Sequence, residues 1–320
     1  MTDFLRCGGG RLRRYGVLLL LAAMPALGLA ACSPVKPFVP DPSQIPHGQG
    51  RLWQVDGPGL ETSYVFATFD GLDKRALDLP PAVTEAFGKT EALVLEGVGD
   101  QYLKAEIYTE ENLELSGDQT LDDLIGARSF GTLSWHMKQR QRLPNPKAKP
   151  WVMWVYLGGE NFGFGEYKDY EYRTYEFQVT RLRSRADEGG MEIEGLMTEQ
   201  EYFDIYDKIP LDQQADMLKV TLDRYEGLPP QTTKGRFYLD GDLARLDAVW
   251  REYLSWLQPE TAATLDARRI TDRNGVMVDR LLPLMQEKSI FVALDSLHLP
   301  GEMGILRLLE QRGLTVARLL

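Results

Sequence analysis

The C-terminal part of the chain contains the pattern that most restricts its fold. Ile290 to Leu294 are five consecutive apolar residues, the length and composition of a strand buried on both faces. His298 follows in a short polar segment. An apolar stripe at three- and four-residue spacing then predicts a helix from about Ile305, and 314–319 predict a second strand. This order predicts an α/β sheet with His298 at the carboxyl edge of a strand, where open sheets bind ligands.

Two earlier predicted strands end on carboxylates. The strand predicted at 64–69 is followed by Asp70, and the apolar strand predicted at 92–95 is followed by Glu96. A single carboxylate after a strand is usually a turn or cap residue. Because the carboxyl ends of parallel strands meet at one edge of a sheet, we expect Asp70, Glu96 and His298 to share a pocket.

The remaining patterns predict an α/β fold with a central, mostly buried sheet flanked by helices. Gly57-Pro58-Gly59 predicts a hairpin, and the capping box Thr198–Glu201 opens a helical region that extends toward the C-terminus. The apolar run 151–157 is interpreted as a buried strand. Residues 158–177 are rich in glycine and aromatics, and predict either a hairpin with paired aromatic side chains or a flap that binds a partner.

The N-terminal 31 residues have the composition of a targeting segment. Arginines precede an apolar run that ends Leu29-Ala30-Ala31-Cys32, which resembles the lipobox of bacterial lipoproteins. Cys32 is then the residue that is acylated, for example with palmitate. The alternative is a plain secretory signal with a chance cysteine. Residues 32–50 carry five prolines and predict a solvated tether that includes His47. The folded domain is predicted over 51–320.

The net charge of the chain argues against two kinds of partner. The net charge is −11, and it becomes −14 without the first 31 residues, which contribute four arginines and one aspartate. Such a balance argues against nucleic acid and against binding to anionic lipid by overall charge. Membrane attachment is therefore expected through the N-terminal lipid. With Ser33 after the acylated cysteine, we expect the periplasmic side of the cell envelope, and the outer membrane in preference to the inner.

Several segments resemble the TraB/GumN family, which includes bacterial envelope proteins and is similar to the Tiki metalloproteases. They are RLWQVDGPG, SYVFATFD, LDLPPAV, ALVLE, IEGLMTEQEYFDIYDKIPLDQQ, DRNGVMVDRLLPLM and LHLPGEMGILRLLEQRGLTV, in this order from about Arg51 to the C-terminus. Family members carry two Gly-x-x-His motifs and a glutamate after the strand between them. The resemblance implies an α/β fold and groups that gather a divalent metal for hydrolysis.

The chain departs from this family pattern at three motifs. Ala67-Thr68-Phe69-Asp70 stands in place of the first Gly-x-x-His, and Asp295-Ser296-Leu297-His298 keeps only the second histidine. Gly195-Leu196-Met197 replaces Gly-Leu-Glu. Four residues match as they stand: Glu96, Arg273, Asn274 and His298. The resemblance therefore implies a vestigial or altered catalytic set of Asp70, Glu96, Arg273 and His298, with Asn274 and Asp295 as binding residues.

These departures can be interpreted in two ways. In the first, Asp70, Glu96 and His298 bind a divalent ion, and the loss of an imidazole shifts the preference from zinc toward manganese or magnesium. In the second, no metal or other cofactor binds, and the groups form a hydrogen-bonded pocket. Met197 favours the second interpretation, because it removes a charge and offers no ligand to a hard ion. Arg273 is then either a surface residue or an inward cation that holds an anionic group.

Three functions are compatible with the sequence. The first is a lipid-anchored envelope protein whose catalysis has eroded and which acts in binding or assembly, with a protein or peptide partner. The second is a metal-dependent, peptidase-like hydrolase with an altered ligand set. The third is a small-molecule pocket used for sensing. We expect the first, because the motif changes remove metal ligands and add none of the types that zinc favours.

Overall fold

The computed structural model describes residues 44–69, 73–97, 107–158, 177–224 and 231–320. Cys32, Asp70 and residues 159–176 of the aromatic segment lie outside these ranges, so the predictions made for them stay predictions. The chain from Pro37 to Leu320 forms one compact unit. Within the described ranges, no helix combines the length and apolar character that crossing a membrane requires.

The described residues form one six-stranded sheet. Its strands are β1 (Leu52–Asp56), β2 (Ser63–Thr68), β3 (Ala92–Gly97), β4 (Glu192–Met197), β5 (Ile290–Asp295) and β6 (Thr315–Arg318). Their order across the sheet is β4–β3–β5–β2–β1–β6. Strands β4, β3, β5 and β2 run parallel, whereas β1 is antiparallel to both β2 and β6. Every residue of β2 is buried, including the polar Ser63 and Thr68 at its ends.

Helices surround this sheet and form a separate layer in the middle of the chain. They are α1 (Pro81–Phe87), α2 (Glu110–Leu113), α3 (Leu121–Gln139), α4 (Pro150–Tyr156), α5 (Gln178–Gly189), α6 (Glu199–Asp207), α7 (Leu211–Asp223), α8 (Gln231–Leu239), α9 (Leu243–Trp256), α10 (Pro259–Asp266), α11 (Asp272–Glu287) and α12 (Ile305–Gln311). A π-helical turn, Ala267–Thr271, joins α10 to α11. The predicted α/β fold with a helical C-terminal region is confirmed.

The two faces of the sheet are covered by different helices, because alternate side chains of a strand point to opposite faces. Val94 and Val292 pack on one face with α11, which contributes Met277. Leu93 and Phe291 pack on the other face with α1 and α5. A further core joins α3, α4, α7 and α9 through buried tryptophans and tyrosines. Since α11 crosses the first face, its N-terminal turn lies close to the carboxyl ends of β3 and β5.

The interpretation of 151–157 as a strand is wrong, because this segment forms α4. Pro150 occupies the first helical position, where its fixed φ favours a helix and its missing N–H costs nothing. Trp151, Trp154 and Leu157 are buried at three-residue spacing. A short apolar run has no periodicity that separates a buried strand from a buried helix, so the pattern alone was ambiguous.

The last residues before the predicted domain are packed on it, so the solvated environment expected for His47 is wrong. The Pro46 carbonyl accepts a hydrogen bond from the Gly301 amide at 2.8 Å, and the Gly48 carbonyl accepts one from Ala244 at 2.9 Å. His47 Nε2 lies 3.1 Å from a carboxylate oxygen of Glu310. A proline-rich segment has few backbone donors but keeps its acceptors. The Pro46 carbonyl attaches this segment to the loop after His298, and the Gly48 carbonyl attaches it to α9.

Candidate functional site

The carboxyl ends of β3 and β5 bring the candidate residues together. These strands are parallel neighbours, with Leu95 opposite Ala293 in register. Glu96 therefore lies beside Asp295, the last residue of β5. His298 ends the 3₁₀ turn that follows. The first turn of α11 supplies Arg273 and Asn274 directly after the π-helical turn, an irregularity that often occurs at functional sites.

Glu96 is the centre of this cluster, and both of its carboxylate oxygens are hydrogen-bonded. Oε1 accepts the Asp295 amide at 2.9 Å. Oε2 accepts the Tyr202 hydroxyl at 2.7 Å and Nη2 of Arg273 at 2.9 Å. The Arg273 guanidinium also lies over the Tyr202 ring, 4.8 Å from its centre. The Glu96 and Arg273 side chains are 17% and 9% exposed, so this ion pair is largely withdrawn from water.

His298 is held in one tautomer by Asn274, which is fully buried. The Asn274 side-chain nitrogen donates to the carbonyls of His298 and Met303, at 3.2 and 2.7 Å. Its oxygen therefore faces Nδ1 of His298, at 2.6 Å. Because that oxygen can only accept, Nδ1 carries the proton. In neutral His298, Nε2 then bears a lone pair, and it lies 3.6 Å from Oε1 of Glu96, beyond hydrogen-bonding distance.

The surroundings keep both Glu96 and His298 deprotonated near neutral pH. Burial favours the neutral acid, but the charge of protonated His298, the Arg273 guanidinium, the Tyr202 hydroxyl and the Asp295 amide lower the pKa of Glu96 to about 2. Burial lowers the pKa of His298 to about 3, since the attraction of Glu96 is opposed by Arg273 and Arg269. Near neutral pH the carboxylate is charged and the imidazole is neutral, so Arg273 supplies the compensating charge.

Asp295 has a different environment from Glu96. Its carboxylate turns back to accept the Leu297 amide at 2.8 Å, so it caps the 3₁₀ turn that carries His298. Burial, followed by the negative charge of Glu96, raises the pKa of Asp295 to about 6. Its ionised form is therefore disfavoured in the folded protein. Asp295 was predicted as a binding residue, and in the structure its carboxylate caps the turn within the loop.

The substitution Asp295→Asn is expected to stabilise the protein near neutral pH by about 2 kcal/mol, because it removes a carboxylate whose folded-state pKa is raised. Asparagine can still accept the Leu297 amide. In the native protein, protonated Asp295 contributes to the free energy of unfolding, and this contribution is lost as the pH rises through about 6. Neutral His298 contributes at higher pH, and its contribution is lost as the pH falls from about 6.5 toward 3. These two contributions oppose each other between about pH 4 and 6.

Urea unfolding of both proteins across this pH range measures the effect. Between about pH 6 and 4, the free energy of unfolding of the native protein should change little. In the variant it should decrease as the pH is lowered, because the His298 contribution is no longer offset by that of Asp295. An Asp295→Asn protein that is no more stable near neutral pH, and has the same pH slope, contradicts the assignment.

Of the three residues predicted as ligands of a divalent metal, the structure describes two, Glu96 and His298, and Asp70 lies outside the described ranges. Nε2 of His298 and Oε1 of Glu96 are donors of a suitable type, but a structural or catalytic zinc needs at least three protein ligands. No group of three histidine, cysteine, aspartate or glutamate side chains in the described ranges could hold an ion. Arg273 already neutralises Glu96. Met197 packs in the sheet core, with its sulfur 3.7 Å from Nη1 of Arg280, and adds no charged ligand.

The structure therefore joins five of the predicted site residues: Glu96, Arg273, Asn274, Asp295 and His298. Their catalytic or binding roles stay predictions. Tyr202 was missed, because it fits the apolar stripe of α6 as well as it fits a hydrogen-bonding role. Its hydroxyl remains protonated near neutral pH, since burial and the charge of Glu96 raise its pKa. In the sequence, the one indication that Tyr202 lies near the end of a strand is its position directly after the capping box Thr198–Glu201, which follows β4.

Comparison with known proteins gives one match. The model of the TraB/PrgY/gumN family matches residues 51–318, which include every described residue of the cluster around Glu96. No curated protein and no solved structure matches the chain. The family match agrees with the resemblance read from the sequence motifs.

Proposed function

The chain belongs to the TraB/PrgY/gumN family, and we propose that it is a member that no longer hydrolyses substrates and acts in binding or assembly at the bacterial cell envelope. Asp70 and Met197 stand where the resemblance implies histidine and glutamate, and both oxygens of Glu96 are already hydrogen-bonded, to the Asp295 amide, Tyr202 and Arg273; these observations support the proposal. A guanidinium on the carboxylate supplies the positive charge that a metal ion supplies in a hydrolytic site, and it cannot activate water by coordination. Our proposal is therefore a binding protein with a rigid, metal-independent polar cluster.

Hydrolysis assays test this proposal. Protein supplied with zinc or manganese is expected to leave a mixture of unstructured peptides intact, and the variant Glu96→Gln should behave identically. Cleavage by the native protein that disappears in Glu96→Gln would restore the alternative of a metal-dependent peptidase. Comparison with that variant separates activity of this site from a contaminating protease, which would cleave in both samples.

The proposed attachment to the envelope depends on Cys32. The lipobox-like sequence Leu29 to Cys32 supports acylation at this cysteine, and several acyl chains on one residue hold a protein on a bilayer far more firmly than a single chain does. Ser33 supports sorting to the outer membrane in bacteria that follow the rule based on the residue after cysteine. The domain then works on the periplasmic side, within reach of envelope proteins or peptides.

Replacing Cys32 with alanine is expected to abolish lipid attachment and to leave an unprocessed precursor. The measurement is metabolic labelling with a palmitate analogue, followed by gel mobility of the labelled protein. Ser33→Ala is the matched control, because it changes a neighbouring small residue and keeps the acylated sulfur. Equal labelling of the Cys32→Ala and native proteins would show that the lipoprotein assignment is wrong.

A further inference from the structure

One surface of the helical layer has a charge opposite to that of the whole chain. From Leu124 to Gly158 the sequence contains no aspartate or glutamate, although the chain has net charge −11. The same stretch contains six basic residues: Arg128, Lys138, Arg140, Arg142, Lys147 and Lys149. This stretch is therefore positively charged, although the net charge of the whole chain is negative. That region lies on α3, α4 and the loop between them.

The basic residues of α3 surround an exposed tryptophan. Arg128, Trp135 and Lys138 are exposed and lie seven and three positions apart, so they share one face of the helix. Gln141 adopts a left-handed conformation, with φ of 56°. This lets the Arg142 amide donate to the Met137 carbonyl at 3.0 Å, which keeps Arg142 beside the last turn of α3.

Three large apolar side chains on these elements are exposed to solvent. Trp135, Leu143 and Tyr156 are 59%, 84% and 42% exposed. The Arg140 guanidinium links the end of α3 to α4, because it donates to the Tyr156 carbonyl at 2.6 Å and lies 5.8 Å from the centre of the Tyr156 ring. We call Arg128, Trp135, Lys138, Arg142, Leu143 and Tyr156 the basic–aromatic surface.

The cations of this surface are available to an external anion. Arg128, Lys138 and Arg142 form no salt bridge with a described residue, whereas Lys149 is paired with Asp207 at 2.6 Å. Lys147 is also engaged, since it donates to the carbonyls of Gly117 and Gln119. The three unpaired cations therefore lie on the same elements as the exposed apolar side chains.

From this arrangement we infer that the basic–aromatic surface rests on the headgroups of an anionic phospholipid bilayer. Exposed tryptophan and tyrosine favour the boundary between water and acyl chains, and neighbouring lysine and arginine add attraction to anionic headgroups. The inference builds on the proposed envelope attachment: a chain held near a bilayer by Cys32 meets such a surface at high local concentration. Contact through α3 and α4 would then fix the orientation of the domain, with the acidic remainder of the protein directed away from the lipid.

Vesicle sedimentation tests this inference without the acyl anchor. The unacylated chain Pro37–Leu320, which is the compact unit, is mixed with vesicles of phosphatidylcholine alone or of phosphatidylcholine with phosphatidylglycerol. It should bind the anionic vesicles, more weakly as salt is added, and should show little binding to the neutral ones. The double variant Lys138→Gln/Arg142→Gln should reduce the partition coefficient about tenfold, and Trp135→Ala should reduce it further.

The matched control is Lys74→Gln/Arg236→Gln, which removes the same charge at two exposed positions outside α3 and α4. It should bind as the native chain does. Absence of binding to anionic vesicles, or equal losses in the two double variants, would overturn the inference. Salt-sensitive capture of an acidic protein together with no vesicle binding would overturn it too, and would assign the surface to a protein partner. These outcomes are independent of Cys32 acylation and of hydrolytic activity.

Discussion

Replacing Arg273 with methionine is expected to lower the free energy of unfolding by about 3–5 kcal/mol. Methionine fills much of the volume of the arginine stem but leaves Glu96 as a largely buried carboxylate without a counter-ion. Burial is the largest cause of the lowered pKa of His298 and persists in the variant, so we expect the imidazole to stay neutral near neutral pH and not to replace the lost charge. Urea unfolding near neutral pH, followed by circular dichroism, measures the loss.

The double variant Glu96→Gln/Arg273→Met distinguishes loss of a charge pair from loss of packing. Glutamine is neutral and can still accept hydrogen bonds from Tyr202 and from the Asp295 amide, so the double variant should recover most of the lost stability. Arg312→Met is the control, because Arg312 forms an exposed pair with Asp279 and its loss should cost less than about 1 kcal/mol. A double variant as unstable as Arg273→Met alone would contradict the proposed role of the ion pair.

Replacing Asn274 with leucine is expected to lower the free energy of unfolding by about 3 kcal/mol and to change the tautomer of His298. The substitution leaves Nδ1 of His298 and the carbonyls of His298 and Met303 without their buried partner. Without an acceptor at Nδ1, the imidazole proton is free to move to Nε2 and hydrogen-bond to Glu96. Nitrogen NMR of the imidazoles measures this directly, because the chain has three histidines.

Asn274→Asp is the comparison variant. It keeps an acceptor for Nδ1 of His298 but donates to neither carbonyl, so it should lose stability while retaining the proton on Nδ1. If the native protein carries its proton on Nε2, or if the leucine variant keeps the native tautomer, Asn274 does not position His298.

The sequence was sufficient to predict the centre of the site. Uninterrupted apolar runs identified β3 and β5, and parallel neighbours necessarily bring their carboxyl ends together, so Glu96 and His298 were expected at one edge. Arg273 is inward and contacts Glu96, as one of its two interpretations required. The position of Asp70 could not be compared, because that residue lies outside the described ranges.

Other features could not be predicted, because the pattern of residue types does not encode them. Tyr202 is apolar enough to belong to a helical stripe, and only tertiary structure shows that its hydroxyl reaches Glu96. The packing of residues 46–48 uses backbone carbonyls, which every sequence contains. Helix α4 was predicted as a strand because the seven consecutive apolar residues 151–157 show no periodicity that distinguishes a helix from a strand. These features follow from long-range contacts, to which local periodicity is insensitive.

The metal content of the purified protein tests the central claim most directly. Arg273 balances the charge of Glu96, so the chain purified without chelator should contain far less than one metal ion per molecule when its metals are measured by mass spectrometry. Dialysis against zinc or manganese, followed by desalting, should leave that value unchanged. About one zinc or manganese ion per chain that survives desalting, and that is lost in Glu96→Gln, would contradict the account and support a metal-dependent hydrolase.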